Sequence, residues 1–447
     1  MICMEYLIGL DIGTSAVKGV LMSKSGKIIE TETIKFEYYY EENKKLLDPN
    51  KFVKTCCDVI STLAKKTDGQ VKAICSCCAS GNLILLDNKD NPMTPIIGWQ
   101  NEIPKEITDK FFTPQEKSAF YESVGWRWQN GFPVSCLAEI KLHKKDIFDK
   151  AKTVAMSAEY LNFCLTGKWG ISNSMGTPFM FIKQETGEYN AETVSKLGAE
   201  DKFFPPIMQK GAVLGNILPS VAEKLNLSSE TKVVLGTFDH PSGALGAGVF
   251  EENEMLLSCG TSWVEFFPAK TREFAISTKG LVDRFMLDGS PYCIMKSVPS
   301  VSVKIDALRE HYLGNISHKE YDELVKKSSF GCNNITFDFT DDDFDKYKDA
   351  NKSDIARAII ETAAYKLKDN LALLKESGLN PEKITMIGGI SNSAVCTDVV
   401  SEVLGLPISV VNGQSAGAVG SCLLAGIGAG IFKNEKEAFK VMISQNG

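Results

Sequence analysis

The first forty residues alternate between apolar runs and short turn sequences. Apolar runs cover residues 6–11 and 17–22, a third extended segment covers residues 28–36, and Gly13-Thr14-Ser15 and Ser25-Gly26 separate them. Strand-length runs broken by turn residues are typical of consecutive antiparallel strands. The pattern therefore predicts a three-stranded meander at the start of the chain.

Helical signals follow this meander and recur later. Asp48-Pro49 opens a predicted helix that ends near residue 65, because Asp caps helix N-termini and Pro fits the first turn. Residues 135–150, 159–165 and 435–443 are also predicted as helices. A long amphipathic helix is predicted where apolar residues recur every three or four positions, at Ile355, Ile359, Ala363, Leu367, Leu371 and Leu374.

Beyond the long helix, predicted strands and helices alternate. Strands at residues 383–387 and 408–411 are followed by helices at 391–404 and 415–425. Such alternation places this half in the α/β class. The acidic stretch 338–345 is interpreted as a solvated loop rather than a metal site.

One strand-turn sequence occurs twice. Residues 10–15 and residues 257–262 each run from an apolar strand into Gly-Thr-Ser. Self-similarity of this kind indicates two related halves. We therefore predict two domains, residues 1–236 and residues 237–447, with the second Gly-Thr-Ser turn in the second domain.

Composition narrows the function. The chain has 447 residues, a net charge of -7 and a pI near 5.4, which disfavours a nucleic-acid partner. No apolar stretch is long enough for a membrane span and no signal peptide is recognisable. With thirteen Cys, an odd number, we expect reduced thiols and a cytoplasmic location. The cluster Cys75, Cys77 and Cys78 is interpreted as part of a buried strand.

Asp11 is the first candidate for chemistry. It ends an apolar strand and is followed by Gly13, Thr14 and Ser15, whose amides and hydroxyls can donate to phosphate oxygens. A buried carboxylate is costly unless a cation or donors stabilise it, so Asp11 with Mg²⁺ is one interpretation. A β-turn with a capping Asp is the other.

Two further segments carry candidate residues. Asp239 follows a strand and precedes a small-residue helix, where it is either a helix N-cap or a general base towards a substrate hydroxyl. Gly388-Gly389 follows a strand, with Asn392 nearby, and either accommodates an adenosine or is a plain strand-helix turn. A P-loop is excluded because Gly-x-x-x-x-Gly-Lys-Ser/Thr does not occur.

Taken together, these segments resemble the FGGY family of carbohydrate kinases over nearly the whole chain. The resemblance is carried by five motifs in register: residues 11–18, 160–167, 237–248, 257–262, and an adenosine region formed by residues 387–392, 400–407 and 415–428. It implies an α/β fold with two actin-like, ribonuclease H-like domains and an active-site cleft between them.

The resemblance also implies the roles of individual residues. Asp239 is the expected catalytic base and Asp11 the expected Mg²⁺ ligand, directly or through water. The expected ATP and phosphate contacts are Asp11, Gly13, Thr14, Ser15, Gly260, Thr261, Gly388, Gly389 and Asn392. The expected contacts to the sugar are Asn82, Trp99, Gln100, Asn101, Asp239 and His240.

The segment 99–103 departs from the family pattern. Family members often have Trp-Asn/Gln-Asp-x-Arg, whereas here Asn101 replaces the carboxylate and Ile103 replaces the arginine. Losing a bidentate cation changes which substrate group is held. We therefore expect an ATP-dependent kinase for a small sugar or polyol, a pentulose first, and leave its identity open.

Two alternatives remain at this point. A catalytically weak sugar- or nucleotide-binding regulator is motivated by the altered segment 99–103 and opposed by the intact Asp11 and Asp239. A chaperone-like ATPase would need a long peptide-binding β domain, which the sequence after Pro381 does not show. A homodimer is a family-level expectation.

Overall fold

The computed structural model describes residues 4–67, 70–79, 81–339, 346–411 and 415–444. The strands of the first half are β1 (Tyr6–Ile12), β2 (Ala16–Ser23), β3 (Ile28–Lys35), β4 (Tyr38–Glu41), β5 (Lys44–Leu47), β6 (Val71–Cys78), β7 (Ile84–Leu86), β8 (Ile96–Ile97), β9 (Thr153–Ala155), β10 (Ile171–Ser172), β11 (Ile182–Lys183), β12 (Glu188–Tyr189), β13 (Ile207–Met208), β14 (Val213–Asn216) and β15 (Lys232–Phe238). The helices of this half are α1 (Pro49–Ala64), α2 (Lys105–Thr108), α3 (Pro114–Val124), α4 (Pro133–His143), α5 (Lys145–Lys150), α6 (Ser157–Thr166), α7 (Gly176–Phe179), α8 (Ala191–Lys196), α9 (Pro219–Leu225) and α10 (Asp239–Ala247).

The second half continues the same alternation. Its strands are β16 (Glu254–Cys259), β17 (Trp263–Ala269), β18 (Leu281–Arg284), β19 (Tyr292–Val298), β20 (Lys383–Gly388) and β21 (Ile408–Val410). Its helices are α11 (Arg272–Ser277), α12 (Val301–Leu313), α13 (His318–Lys326), α14 (Lys352–Glu376), α15 (Ala394–Leu404), α16 (Ala416–Gly428) and α17 (Glu435–Phe439). No helix in the described ranges is long and apolar enough to cross a membrane.

The chain divides into two compact units. Unit 1 contains residues 1–248, 281–292 and 415–447, and unit 2 contains residues 249–280 and 293–414. The last helices, α16 and α17, therefore belong to unit 1, although they follow unit 2 in sequence. The predicted domain boundary between residues 236 and 237 stays a prediction.

Unit 1 is built on a mixed sheet with the strand order β14-β15-β6-β1-β2-β3. The predicted meander is confirmed, because β1 pairs antiparallel with β2 and β2 pairs antiparallel with β3. β1 also pairs in parallel with β6, which contains the buried Cys75, Cys77 and Cys78. The prediction that these cysteines lie in a buried strand is confirmed.

Unit 2 repeats the core of this arrangement. Its strands β19, β17, β16, β20 and β21 lie side by side in that order. β16 pairs antiparallel with β17 across the Gly-Thr-Ser turn and in parallel with β20, as β1 does with β2 and β6. The predicted internal repeat and the α/β class are thus confirmed in each unit separately.

Most predicted helices are present, with two corrections. Residues 135–150 are not one helix, because Lys144 leaves the helical conformation and separates α4 from α5. Residues 391–404 are likewise not one helix, since a short 3-10 turn over Gly389–Asn392 precedes α15. The long helix is confirmed as α14, and all six of its predicted apolar positions are buried. In the acidic stretch predicted as a loop, residues 340–345 lie outside the described part of the chain.

Asp48 caps α1 as predicted. Its side chain accepts hydrogen bonds from the backbone amides of Asn50 and Lys51. The helix then packs its buried face, including Phe52, Val59 and Ile60, on β2 and β3 of the unit 1 sheet. Burying apolar side chains of this size contributes about 1.5 to 3 kcal/mol each before entropy losses.

Helices α10 and α16 are held together by glycines. A Cβ added to Gly420 would lie 1.9 Å from the carbonyl oxygen of Ser242, and one added to Gly246 would lie 2.0 Å from that of Ala416. A Cβ on Gly9 of β1 would similarly lie 1.9 Å from the carbonyl oxygen of Ala418. Because no side chain separates these backbones, α16 contacts both α10 and β1 directly.

We expect Gly420→Ala to destabilise the protein by about 1 to 3 kcal/mol, since a methyl group must push α10 and α16 apart. Chemical denaturation measures this change. Gly98→Ala is the matched control, because a Cβ at Gly98 would meet nothing within 4 Å. A Gly420→Ala protein as stable as the control would show that the two helices can separate without cost.

Candidate active site

Asp11 lies near the end of β1, between β2 and β6. Its register partners are Lys18 on β2 and Cys77 on β6. The thiol of Cys77 donates to Oδ1 of Asp11 at 3.7 Å, a long and weak hydrogen bond. Burial, followed by the negative charge of Asp239, raises the pKa of Asp11 to about 6. The carboxylate therefore lacks a strong donor in the described part of the chain.

Asp239 is the first residue of α10 and does not cap it. Phe238 occupies the cap position, and no side chain accepts a capping hydrogen bond there. The N-cap interpretation is therefore wrong. Oδ1 of Asp239 accepts the adjacent amide of His240 at 2.8 Å. Burial raises the pKa of Asp239, and the neighbouring His240 partly opposes this rise.

The carboxylate of Asp11 fits one ligand position of a divalent-cation site. A Mg²⁺ site commonly combines one or two carboxylates with substrate phosphates and waters, rather than a full protein cage. In keeping with this, no group of three or more His, Cys, Asp or Glu side chains within the described ranges could hold a metal by itself. Asp11 is the residue that would hold the ion, because the hydrogen bond from Cys77 to its side chain is a weak one and because burial and the negative charge of Asp239 raise its pKa. A glycine faces it, because a Cβ on Gly417 would lie 2.9 Å from Oδ2 of Asp11.

The first Gly-Thr-Ser turn joins β1 to β2. The amide of Gly13 donates to the carbonyl oxygen of Ala16 at 3.0 Å, which closes the turn through backbone atoms. The hydroxyl of Tyr38 donates to the carbonyl oxygen of Thr14. Thr14 is half-buried and Ser15 is exposed, so both residues are accessible to solvent.

The second turn, in unit 2, is held by the start of α12. The hydroxyl of Ser302 donates to the carbonyl oxygen of Gly260 at 2.6 Å, and its amide donates to that of Thr261 at 3.2 Å. Gly260 and Thr261 remain exposed. In each unit, hydrogen bonds to backbone carbonyl groups hold the Gly-Thr-Ser turn, and residues of the turn remain exposed to solvent.

The glycine pair after β20 has a conformational requirement. Gly388 has a φ of 107°, and a Cβ there would lie 2.3 Å from the carbonyl oxygen of Cys259. A Cβ on Gly389, by contrast, would meet nothing within 4 Å. Gly389 begins the 3-10 turn and Asn392 ends it, and both residues are exposed. A glycine is therefore required at position 388 by the backbone conformation and the close approach of Cys259, whereas the space beside Gly389 is open.

A pocket in unit 1 brings together several predicted sugar contacts. Asn82, Trp99 and Gln100 line it, as do Gly13 and Thr14 of the first turn. Oδ1 of the buried Asn82 accepts the amide of Ser157 at 2.7 Å, which fixes the side chain. Trp99 is 47% exposed, an unusual value for so large an apolar ring. The structure therefore places Asn82, Trp99 and Gln100 beside the first Gly-Thr-Ser turn.

Asn101 is buried, and its side chain forms hydrogen bonds with backbone groups. Its Oδ1 accepts the amide of Lys45 at 2.7 Å, while Nδ2 donates to the carbonyl oxygens of Lys45 at 2.9 Å and Gly98 at 3.0 Å. Both amide protons are occupied, so none is left for a sugar hydroxyl. Ile103 is fully buried. Asn101 holds the pocket wall together, and its predicted sugar contact stays a prediction.

Lys45 is the functional candidate that the sequence analysis missed. It lies in the same pocket, with its ammonium 4.2 Å from the centre of the Tyr38 ring. Alternation along β5 turns Lys45 and Leu47 into the pocket, whereas Lys44 forms an ion pair with Glu139. The alternation was available in the sequence, but nothing local indicated that this hairpin lies beside Thr14.

The comparisons with known proteins agree over nearly the whole chain. The model of the N-terminal domain of the FGGY family of carbohydrate kinases matches residues 6–246, and that of the C-terminal domain matches residues 341–429. A xylulose kinase of Staphylococcus epidermidis is 25% identical over 98% of this chain and 91% of that protein.

Solved structures show the same fold. The ligand-bound xylulose kinase from Lactobacillus acidophilus superposes with a TM-score of 0.89 at 22% identity, covering 98% of this chain and 92% of that one. The gluconate kinase from the same organism gives 0.88 at 21% identity with the same coverage. The expected two-domain, actin-like fold is confirmed.

We expect Asp11→Asn to stabilise the metal-free protein above pH 6. A carboxyl group whose pKa rises from 3.8 to about 6 on folding destabilises the folded state when it is ionised, so the penalty grows as pH rises from 4 to 6. Denaturation in EDTA should show a gain of about 1 to 2 kcal/mol at pH 8, allowing for partial exposure, and none near pH 4.

Asp58→Asn, on the exposed face of α1, is the control for this measurement and should show no such gain. An Asp11→Asn protein that is less stable than wild type at pH 8 would mean that a partner in the fold already compensates the Asp11 charge.

Proposed function

This chain belongs to the FGGY family of carbohydrate kinases, and we propose that it transfers the γ-phosphoryl group of ATP to a hydroxyl of a small sugar, a pentulose, with Asp239 as general base. The observation that carries this proposal is the state of Asp239. Its carboxylate lies at the first residue of a helix, accepts the amide of His240, and has a pKa that burial raises. A desolvated carboxylate with free acceptor capacity is a stronger base than an exposed one.

In the proposed step, the substrate hydroxyl gives its proton to Asp239. The oxygen forms a bond to the γ-phosphorus of ATP, the bond between that phosphorus and the bridging oxygen breaks, and ADP leaves. The proton then passes to solvent. In-line phosphoryl transfer depends mainly on positioning and charge stabilisation, so the base has little covalent chemistry to do.

The turns supply the remaining roles. In unit 1, Thr14 and Ser15 offer hydroxyls to phosphate oxygens, and Gly13, whose amide closes the turn, lets the backbone approach them closely. In unit 2, Gly260 and Thr261 offer backbone amides and a hydroxyl. Gly389 and Asn392 would contact the adenosine. A Mg²⁺ ion bound at Asp11 would neutralise phosphate charge during transfer.

The pentulose proposal is supported by the hydrogen-bonding side chains that line the pocket in unit 1. Its candidate polar contacts to a polyol are Asn82, Gln100 and Lys45, with the Trp99 ring as an apolar wall. Several relatives are named xylulose kinase. We place the enzyme in the cytoplasm, since it uses ATP and all twelve cysteines in the described residues have free thiols. A homodimer stays a prediction.

We expect Asp239→Asn to lower sugar-dependent ADP release by a factor of about 10² to 10⁴, because the acceptor hydroxyl then has no base. A coupled assay with Mg-ATP and a panel of ketoses, aldoses, polyols and sugar acids measures this, and Asp58→Asn is the control. Retained ATP binding would show that the variant is folded. Equal turnover by wild type and Asp239→Asn would remove Asp239 as the base, and no turnover with any acceptor would overturn the kinase proposal.

Lys45→Met should raise the KM for the acceptor about tenfold or more and leave the KM for ATP unchanged, since a charged hydrogen bond contributes about 1.5 to 3 kcal/mol. Lys44→Met is the matched control, because it lies on the same strand but pairs with Glu139. A rise in the KM for ATP instead would assign Lys45 to the phosphates.

A further inference from the structure

The strand that carries Asp239 ends in a bulge. β15 follows β6 in regular parallel register up to Leu235, which pairs with Ser76, and the next pair is Phe238 with Cys78. Three steps on β15 therefore oppose two on β6. Gly236 permits this, because a Cβ there would lie 1.9 Å from the carbonyl oxygen of Ser76. A bulge re-aims the residues that follow it and frees backbone groups from the ladder.

Side-chain hydroxyls capture the freed backbone groups of Phe238, the residue before Asp239. The amide of Phe238 donates to Oγ of Ser174 at 3.3 Å, and the hydroxyl of Thr237 donates to its carbonyl oxygen at 2.9 Å. Ser174 and Thr237 are both fully buried. The backbone entering Asp239 is thus fixed by named side chains on both of its polar groups.

Ser174 is in turn oriented by Asp283. The hydroxyl of Ser174 donates to Oδ2 of Asp283 at 2.9 Å, and Oδ1 of Asp283 accepts the amide of Arg284 at 2.7 Å. Since the Ser174 proton is committed to the carboxylate, its oxygen lone pairs are left for Phe238. Asp283 is fully buried and comes from residues 281–292, which belong to unit 1.

Packing on the other side completes the support. The ring of Phe238 makes edge contacts with Trp126, at 5.3 Å between ring centres, and with His240, at 5.2 Å. Phe238 is therefore held both by its backbone and by its ring. We expect a displacement of its amide, after a change at Ser174, to displace the adjoining Asp239 as well.

We propose that Ser174 and Asp283 are positioning residues for Asp239. Asp283 fixes the hydroxyl of Ser174, Ser174 fixes the amide of Phe238, and Phe238 sets where the Asp239 carboxylate begins. Neither residue contacts substrate. This inference rests on the proposed role of Asp239 as the base.

The test compares Ser174→Ala with Ser172→Ala at saturating Mg-ATP and D-xylulose, or the panel sugar that gives turnover. Ser172 is the matched control, because it is a buried serine two residues away whose hydroxyl also accepts a backbone amide, that of Met175. Displacing a catalytic group by about 1 Å can cost a factor of about 100. We therefore expect Ser174→Ala to lower kcat about 10- to 100-fold with the KM for ATP changed less than about threefold, and Ser172→Ala to keep wild-type kcat.

A double-mutant cycle separates positioning from general stability. If Ser174 acts through Asp239, adding Ser174→Ala to Asp239→Asn should leave the residual turnover within about twofold, because there is no base left to misplace. If Ser174 only stabilises the fold, the same substitution should lower the active fraction in both backgrounds alike, and that outcome would overturn the proposal.

Asp283→Asn provides the conservative variant and serves if Ser174→Ala does not fold. The amide keeps the shape and one acceptor oxygen, so its loss of kcat should be smaller than that of Ser174→Ala and equally absent in the Asp239→Asn background. Wild-type kcat in Ser174→Ala, with Asp239→Asn inactive, would overturn this inference alone. Full turnover by Asp239→Asn would overturn the proposed base and this inference together.

Discussion

Direct backbone contact in unit 1 is the constraint on which the rest of the site depends. Gly9, Gly246 and Gly420 let the backbones of β1 and α10 each contact that of α16 directly. Asp11, on β1, and Asp239, on α10, are thereby attached to elements that share one packing partner, and the charge of Asp239 acts on Asp11. Substituting a larger residue would separate the two carboxylates as well as loosen the core. Stability and catalytic geometry therefore have the same cause.

The sequence predicted those parts of the structure that local patterns determine. The meander, the capped α1, the long α14 and the duplicated Gly-Thr-Ser turns follow from periodicity and turn chemistry within short windows. The break at Lys144 was missed because the apolar spacing continues across it. The N-cap interpretation of Asp239 failed because the helix begins at Asp239, one residue before the predicted start at His240, with Phe238 at the cap position.

Site residues could be predicted where the residue type itself indicates a function, as for a carboxylate at a strand end. They could not be predicted where the role depends on contacts that only the folded structure creates. Asp11 and Asp239 stand out because carboxylates at strand ends are costly. Asn101 looked like a sugar contact, yet its amide is consumed by the backbone of Lys45 and Gly98. Lys45 lies in the pocket because Asn101 holds its backbone there. Asn101 therefore supports the pocket wall, and Lys45 on β5 brings a cation into the pocket.

The last segment of the chain, residues 415–447, belongs to unit 1, and this affects how the protein folds during its synthesis. Residues 1–248 emerge first, but α16, which covers the backbone of β1 and α10, is not translated until residues 249–414 have been made. Until then the nascent chain carries an apolar face on its central sheet with nothing to close it. Domains that complete early fold as they emerge, whereas this one must wait for its last segment. We expect the growing polypeptide to depend on chaperone cover during that interval.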